Sequence, residues 1–279
     1  MAIIINGRGR VGARVTTGGS SGGGTDADAQ AFITAASITD PTQISAVNTL
    51  VTGLKSNNLW TKMKAIYPVV GGNATAHSYN LVNTTQYQLS FSSGWTHSST
   101  GMLPNGTSAY ANTGLSPSSE LNLTSSHFSL YSRTNAFGSN YANSGIYDGG
   151  NKAFNLYLKY YNGKRIAVMY TENNTYADGG VEPDSRGLFL GTRISSNDIK
   201  LYKNGSVVGS NTNTETGGIL PTSTVYLSAA NTNGSPNGVT YDNKELAFCT
   251  IGLGLDSTES TTLSTIINAF NTTLGRNTY

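Results

Sequence analysis

Beyond about Ala74 the chain is a train of short runs in which apolar and polar residues alternate, each closed by Asn, Gly, Ser or Thr. A period of two marks a half-buried strand, because successive side chains leave opposite faces of the backbone. Tyr87-Gln-Leu-Ser-Phe91, Phe128-Ser-Leu-Tyr-Ser132, Phe154-Asn-Leu-Tyr-Leu158 and Val225-Tyr-Leu-Ser228 follow that period. Arg165-Ile-Ala-Val-Met-Tyr170 and Gly187-Leu-Phe-Leu190 are more continuously apolar. In Ile199-Lys-Leu-Tyr-Lys-Asn-Gly-Ser-Val-Val208 the pair Asn204-Gly205 predicts a type I′ hairpin turn. Further turn clusters stand at Asn162-Gly163, Asp178-Gly179-Gly180, Gly217-Gly218 and Asn233-Gly234. Many short strands at this spacing predict a mainly β fold, an antiparallel two-sheet sandwich or jelly roll over about 74 to 255. Phe128, Leu130, Leu156, Leu158, Leu188, Leu190, Val225 and Leu227 are its expected inward residues.

Helical signals flank this region. Thr25 with Asp28 reads as a capping box, followed by Ala29, Phe32, Ile33 and Ala36 on one face. Thr39 or Asp40 caps a second helix with Pro41 at its first position, and Ile44, Val47, Leu50, Val51 and Leu54 form its stripe. Leu59 to Met63 reads as a further helical turn or two. At the other end Ser257 reads as a cap, Leu263, Ile266, Ile267 and Phe270 as an apolar face, and Gly275 as a stop. Three regions result: an extended basic arm and Gly/Ser linker over 1–25, a helical adaptor over 26–73, and a sandwich with its C-terminal helix over 74–279.

Composition narrows the chemistry. Charged residues are only 11% of the chain and the net charge is +2, which argues against a broad nucleic-acid face. The 16 Tyr and 8 Phe indicate a folded core rather than a disordered chain. No apolar stretch approaches the roughly 20 residues of a membrane span, and Ala2-Ile-Ile-Ile5 is too short for a signal core. The single cysteine, Cys249, lies in an apolar run and reads as a buried filler, which excludes an internal disulfide framework.

Motifs that resemble catalytic signatures lack their context. Gly7-Arg-Gly9-Arg-Val-Gly12 matches G-x-G-x-x-G after an apolar run, as at the opening of glyceraldehyde-3-phosphate dehydrogenases. That motif works by leading into a helix whose N-terminus meets a pyrophosphate, and Ala-Arg-Val-Thr-Thr-Gly-Gly cannot extend one. Gly18-Gly-Ser20-Ser-Gly22 matches G-x-S-x-G inside a Gly/Ser tract that supplies no strained strand-to-helix turn. His77, His97 and His127 stand apart in sequence with no metal-ligand spacing, and surface or edge-strand placement is expected for all three. Glu120, Glu172, Glu182, Glu215, Glu245 and Glu259 are scattered, with no paired run of the kind a β-sandwich glucanase uses. No catalytic residue, metal site or cofactor is therefore assigned.

Two features remain. Tyr141, Tyr147, Asp148 and Asn151 sit together on one loop and have the ingredients of a sugar site: rings to stack, and Asp and Asn to orient hydroxyls. An ordinary polar turn explains the same residues. The basic arm carries Arg8, Arg10 and Arg14 with no acid before Asp26, behind a strand-like run ending in Ile3, Ile4 and Ile5. Such a run exposes an edge that a partner strand would cover, which makes the arm a docking peg for another protein.

Ala27 to Ala36, Ile38-Thr-Asp-Pro41 and Leu59 to Pro68 resemble structural proteins of tailed bacteriophages, and Ala269-Phe-Asn-Thr-Thr-Leu-Gly-Arg276 is similar to the C-terminal helix of that group. Asp198-Ile-Lys-Leu-Tyr-Lys-Asn-Gly205 resembles the hairpin of laminin-G and concanavalin-like jelly rolls. The resemblance implies a non-enzymatic virion component (head fibre, decoration protein or tail fibre), made in the bacterial cytoplasm and assembled as a homo-oligomer, often a trimer. Capsid, portal or tail proteins are the implied partners and a host surface glycan the implied ligand, without nucleic acid or membrane insertion. A glycan-acting hydrolase and a free carbohydrate-binding module are the alternatives on the same fold.

Overall fold

The computed structural model describes residues 24–137, 141, 143–149, 152–170, 175–215 and 217–279. The docking residues Ile3, Ile4, Ile5, Arg8, Arg10 and Arg14, most of the Gly/Ser linker, and Asn151 lie outside them.

Two sheets face each other, antiparallel throughout except where Ala230–Thr232 runs parallel to Ser144–Tyr147. The first has the order Ser206–Asn211, Asp198–Lys203, Gly187–Ser195, Ser126–Ser132 and Leu246–Gly252. Met63–Tyr67 pairs with one end of that last strand, and Met102–Pro104 with the other, bringing Trp95–His97 behind it. The second has the order Ala177–Val181, Lys164–Met169, Ala153–Tyr160, Ser144–Tyr147, Tyr226–Leu227, Ala111–Asn112 and Ser90–Phe91. The Asn-Gly signals for turns hold, whereas Asp178-Gly179-Gly180, expected as a turn, lies inside the strand Ala177–Val181, where the register shifts against Lys164–Met169. Asn204 and Gly205 have φ of 51° and 83°, Asn162 and Gly163 59° and 76°, and Asn233 and Gly234 51° and 92°. Positive φ at both positions is what a type I′ turn requires, and Asn and Gly tolerate it best.

Between the sheets lies a core of Phe128, Leu130, Ile146, Phe154, Leu156, Leu158, Met169, Phe189, Leu201, Val225, Leu227 and Cys249. A second core lies on the far face of the first sheet. There Tyr131, Leu188, Leu190, Tyr202 and Phe248 pack against Phe32, Val47, Leu50 and Leu54 of the two early helices and Leu263, Ile267 and Phe270 of the last. The molecule therefore has three layers: helices, first sheet, second sheet.

This arrangement corrects several expectations. Leu188 and Leu190 point at the helices, and Phe189 takes the inter-sheet position. A strand buried on both faces loses the alternation that would fix its phase. Residues 26–73, expected as a helical adaptor, share the helical-layer core with the C-terminal helix and contribute a strand to the first sheet. The further helical turn expected over Leu59 to Met63 is a single 3-10 turn, Trp60–Lys62, and Met63 already starts a strand. The caps sit one residue from the expected ones. Asp26 caps Ala27–Ala35 by accepting from the Asp28 N–H, and Asp256 caps Ser257–Thr273 in a reciprocal box with Glu259. Aspartate competes well with Thr and Ser for this role, because its carboxylate also meets the positive end of the helix. Asp40 caps Pro41–Ser56, and Gly275, with φ of 65°, follows the last helix.

The histidines are also displaced from expectation. His127 is buried on the central strand Ser126–Ser132, and His77 is buried on the short helix Ala74–Ser78. His97 does lie on the edge strand Trp95–His97, where its Nδ1 meets that of His77 at 2.9 Å.

Candidate functional site

The helices cover the first sheet, and the outer face of the second sheet carries a groove of about 370 Å³. Its lining comes from three places. Tyr141, Asn143 and Tyr147 lead into or end the strand Ser144–Tyr147; Tyr157 and Tyr160 belong to Ala153–Tyr160; Ala230, Asn237, Val239 and Thr240 come from the parallel strand and the loop after it. A second hollow of about 190 Å³ shares Tyr157 and Tyr160 and continues to Ile166, Val168 and Tyr176.

Alternation explains part of this face. Phe154, Leu156 and Leu158 point into the inter-sheet core, so Tyr157 points out. Tyr160 would then be expected inside. Instead the register with Lys164–Met169 shifts between Tyr157 and Tyr160, and both rings reach the groove. A bulge of this kind re-aims a side chain without ending the strand. The two rings meet edge to face with centroids 4.6 Å apart, and Tyr141 stands edge-on to Tyr160 at 5.8 Å. Such contacts fix aromatic orientation.

The polar groups are few. Thr240 holds the loop, its hydroxyl donating to the Asn237 carbonyl at 2.7 Å and accepting from the Ala230 N–H at 2.9 Å. Asn143 is buried; its N–H donates to the Thr240 carbonyl at 3.1 Å, and its Oδ1 has no partner among the described residues. Burial pushes the Tyr157 phenol up to about 12, with a hydrogen bond from the Asn143 side chain acting the other way. Burial also raises Tyr160, reinforced by the phenols of Tyr141, Tyr176 and Tyr161. The Tyr157 and Tyr160 phenols therefore stay neutral near pH 7.

Of the residues singled out in sequence, Tyr141 and Tyr147 line the groove, each nearly half exposed. Asp148 does not line it. Its carboxylate accepts from the Ser223 hydroxyl and the Asn233 N–H, both at 2.9 Å, and so ties neighbouring loops together. Asn143, Tyr157, Tyr160 and Tyr176 were missed by sequence reasoning. Tyr157 was legible as the outward residue of an alternating strand, whereas Tyr160 depends on the bulge.

Elsewhere the titratable groups serve the fold. His127 Nδ1 contacts the Leu253 carbonyl oxygen at 2.6 Å and Nε2 the Thr250 hydroxyl at 3.0 Å, and burial holds its pKa down to about 4. Glu182 is fully buried between Arg165 and Lys203. Among the described residues, no group of three or more His, Cys, Asp or Glu is placed to hold a metal ion, and no helix is long and apolar enough to cross a membrane.

No family model matches the chain, and no curated protein matches it. Solved structures do. Trypanosoma rangeli sialidase in complex with sialic acid is 12% identical over 79% of this chain and 38% of that one, with a TM-score of 0.50. The binding domain of Paraclostridial Mosquitocidal Protein 1 is 13% identical over 76% of this chain and 53% of that one, at 0.49. Domain 4 of AbnA, a GH43 extracellular arabinanase from Geobacillus stearothermophilus, in complex with arabinotriose, is 15% identical over 73% of this chain and 98% of that one, at 0.42. The chain thus spans about two fifths of the sialidase and about half of the toxin domain. The likeness to the sialidase is one of fold, a β-sandwich.

Proposed function

We propose that this chain is a structural component of a tailed-phage virion that presents a glycan-binding sandwich outward, with its N-terminal arm docked on the particle. The observation that carries the glycan part is the tyrosine-lined groove on the uncovered face of the second sheet. Concave, largely apolar sites with a few fixed polar groups are where small ligands bind, and neutral phenols supply both a ring face and a hydroxyl.

The layer order supports the outward orientation. The described chain starts at Gly24, and Asp26 is held on the helical layer by the Asn48 side chain at 2.8 Å and by Lys55 at 2.7 Å. Asp26, the start of the described helical layer, therefore lies on the side opposite the groove. Docking through Ile3, Ile4, Ile5, Arg8, Arg10 and Arg14 would leave the tyrosines facing the host.

The non-enzymatic reading rests on the lining, which has no carboxylate among the described residues. Hydrolysis by the common two-carboxylate route needs two acids about 5–9.5 Å apart across the bond. Full-length protein is expected to bind envelope polysaccharide of the host bacterium in a sedimentation assay and to release no reducing ends from it. Turnover abolished by changing one Asp or Glu would replace this reading with a hydrolase.

A further inference from the structure

We propose that the groove takes an uncharged glycan of at least two linked sugars, lying across the strands from Tyr141 to Tyr176. The inference rests on the reading of the groove as a saccharide site and specifies the class of saccharide.

Charge is the first ground. No Asp, Glu, His, Lys or Arg is among the described residues that line either hollow. Of the cations on the strands that line the groove, Lys159 donates to Asn135 Oδ1 and the Pro183 carbonyl oxygen, both at 3.2 Å, and Arg165 is paired with Glu182. Lys164, in the strand that supplies Ile166 and Val168, is paired with Asp178 at 2.6 Å. A carboxylate or sulfate entering the groove would lose water and gain no cation, which is unfavourable.

The second ground is hydrogen-bond polarity. Asn143, which lines the groove, has its Oδ1 as a buried acceptor without a donor among the described residues. An acceptor in that state gains most from a hydroxyl or amide proton. Sugar hydroxyls and acetamido groups supply one, whereas a carboxylate or sulfate oxygen presents only lone pairs to it. The Tyr157 phenol, which lines the same groove, can donate to a second sugar oxygen.

The third ground is extent. The two hollows are joined through Tyr157 and Tyr160, whose edge-to-face contact forms a saddle between them. Tyr141 and Tyr147 offer ring faces on one side of the saddle and Tyr176 on the other. One sugar cannot occupy both sides, so affinity should grow with chain length.

The test is titration calorimetry on the full chain. The probes are glucose, galactose and N-acetylglucosamine oligomers of one to five units, and the same oligomers carrying a terminal sialic acid or a sulfate. The expected result is that a neutral series binds, with its trisaccharide at least about tenfold tighter than its monosaccharide, and that the acidic forms bind at least about tenfold more weakly. Tyr157→Phe should weaken binding about 3–10-fold, the value of one hydrogen bond. Tyr160→Ala should weaken it further without shifting the melting temperature by more than a few degrees. Tyr176→Ala should weaken only the oligomers and leave the monosaccharide unchanged. Equal or tighter binding of the acidic forms, still lost in Tyr160→Ala, would overturn the neutral class while the saccharide reading stands. Affinity independent of length would overturn the two-hollow extent. If no probe of either class binds, the saccharide reading itself falls.

Discussion

At Gly145 the backbone has φ of +135°, and a Cβ there would run into the Phe154 carbonyl oxygen of the neighbouring strand. Only glycine lets Ser144–Tyr147 lie that close to Ala153–Tyr160, the two strands that carry Tyr147, Tyr157 and Tyr160 into the groove. Gly145→Ala is expected to cost about 2–4 kcal/mol, read from the urea midpoint, because strain and overpacking act together. A second residue-scale expectation concerns acid. His127 and His77 are held neutral by burial, with folded pKa values of about 4 and about 3. Each titrates near 6.5 when unfolded, so below that pH the unfolded chain binds protons that the folded chain refuses. Stability should therefore fall as pH drops from 6.5, by about 2 kcal/mol per histidine at pH 5. Urea unfolding at pH 7, 6 and 5 measures it. The acids contribute little in that window, since Asp184, paired with Arg186, is held at about 2 and Asp26, paired with Lys55, is also lowered. A flat profile would mean that the two rings are not buried as described.

Among the elements, the C-terminal helix has the most specific anchor. After it ends, Arg276 turns inward and is almost wholly buried. Its guanidinium donates to the carbonyls of Pro68 and Val69 at 2.6 Å and of Ala247 at 2.8 Å, and to Asn271 Oδ1 at 2.8 Å. These bonds join the helix to the end of Met63–Tyr67 and to the strand Leu246–Gly252. Arg276→Ala would leave buried carbonyls without donors and should cost about 3–5 kcal/mol, read as a large drop in melting temperature. Arg276→Lys should recover only part of that loss, because an ammonium cannot reproduce the planar fork of donors. The bulge in Ala153–Tyr160 matters differently: it adds no stability of its own and decides which tyrosines share the groove.

For the whole molecule, the consequence of three layers is a division of faces. The helices bury the outer side of the first sheet, and among the described residues no element covers the tyrosine face of the second. Helices and sheets share residues in one continuous stack, so they should unfold together. The arm is expected to behave otherwise. Deleting residues 1–15 should leave the melting temperature nearly unchanged while incorporation into virus particles falls sharply. A truncated protein that unfolds would place the arm inside the core instead and end the docking proposal.

Much of this protein was readable from local order. The period-two runs predict strands, Asn-Gly pairs predict turns with positive φ at both residues, and the stripes Val47, Leu50, Leu54 and Leu263, Ile267, Phe270 predict helical faces. Each of these signals is a property of adjacent residues. Local order could not say which face of Gly187–Ser195 meets the helices, because a strand covered on both sides has no polar phase to read. Nor could it say that Met63–Tyr67 completes the first sheet, since its partner strand lies nearly two hundred residues on. The groove is the clearest case. Tyr141 and Tyr147 stand out as loop aromatics, but Asn143 becomes an unpaired acceptor only when the Thr240 loop folds over it. Tyr160 joins Tyr157 only because the strand bulges between them. Sequence order sets which faces are apolar; long-range strand pairing sets which side chains converge.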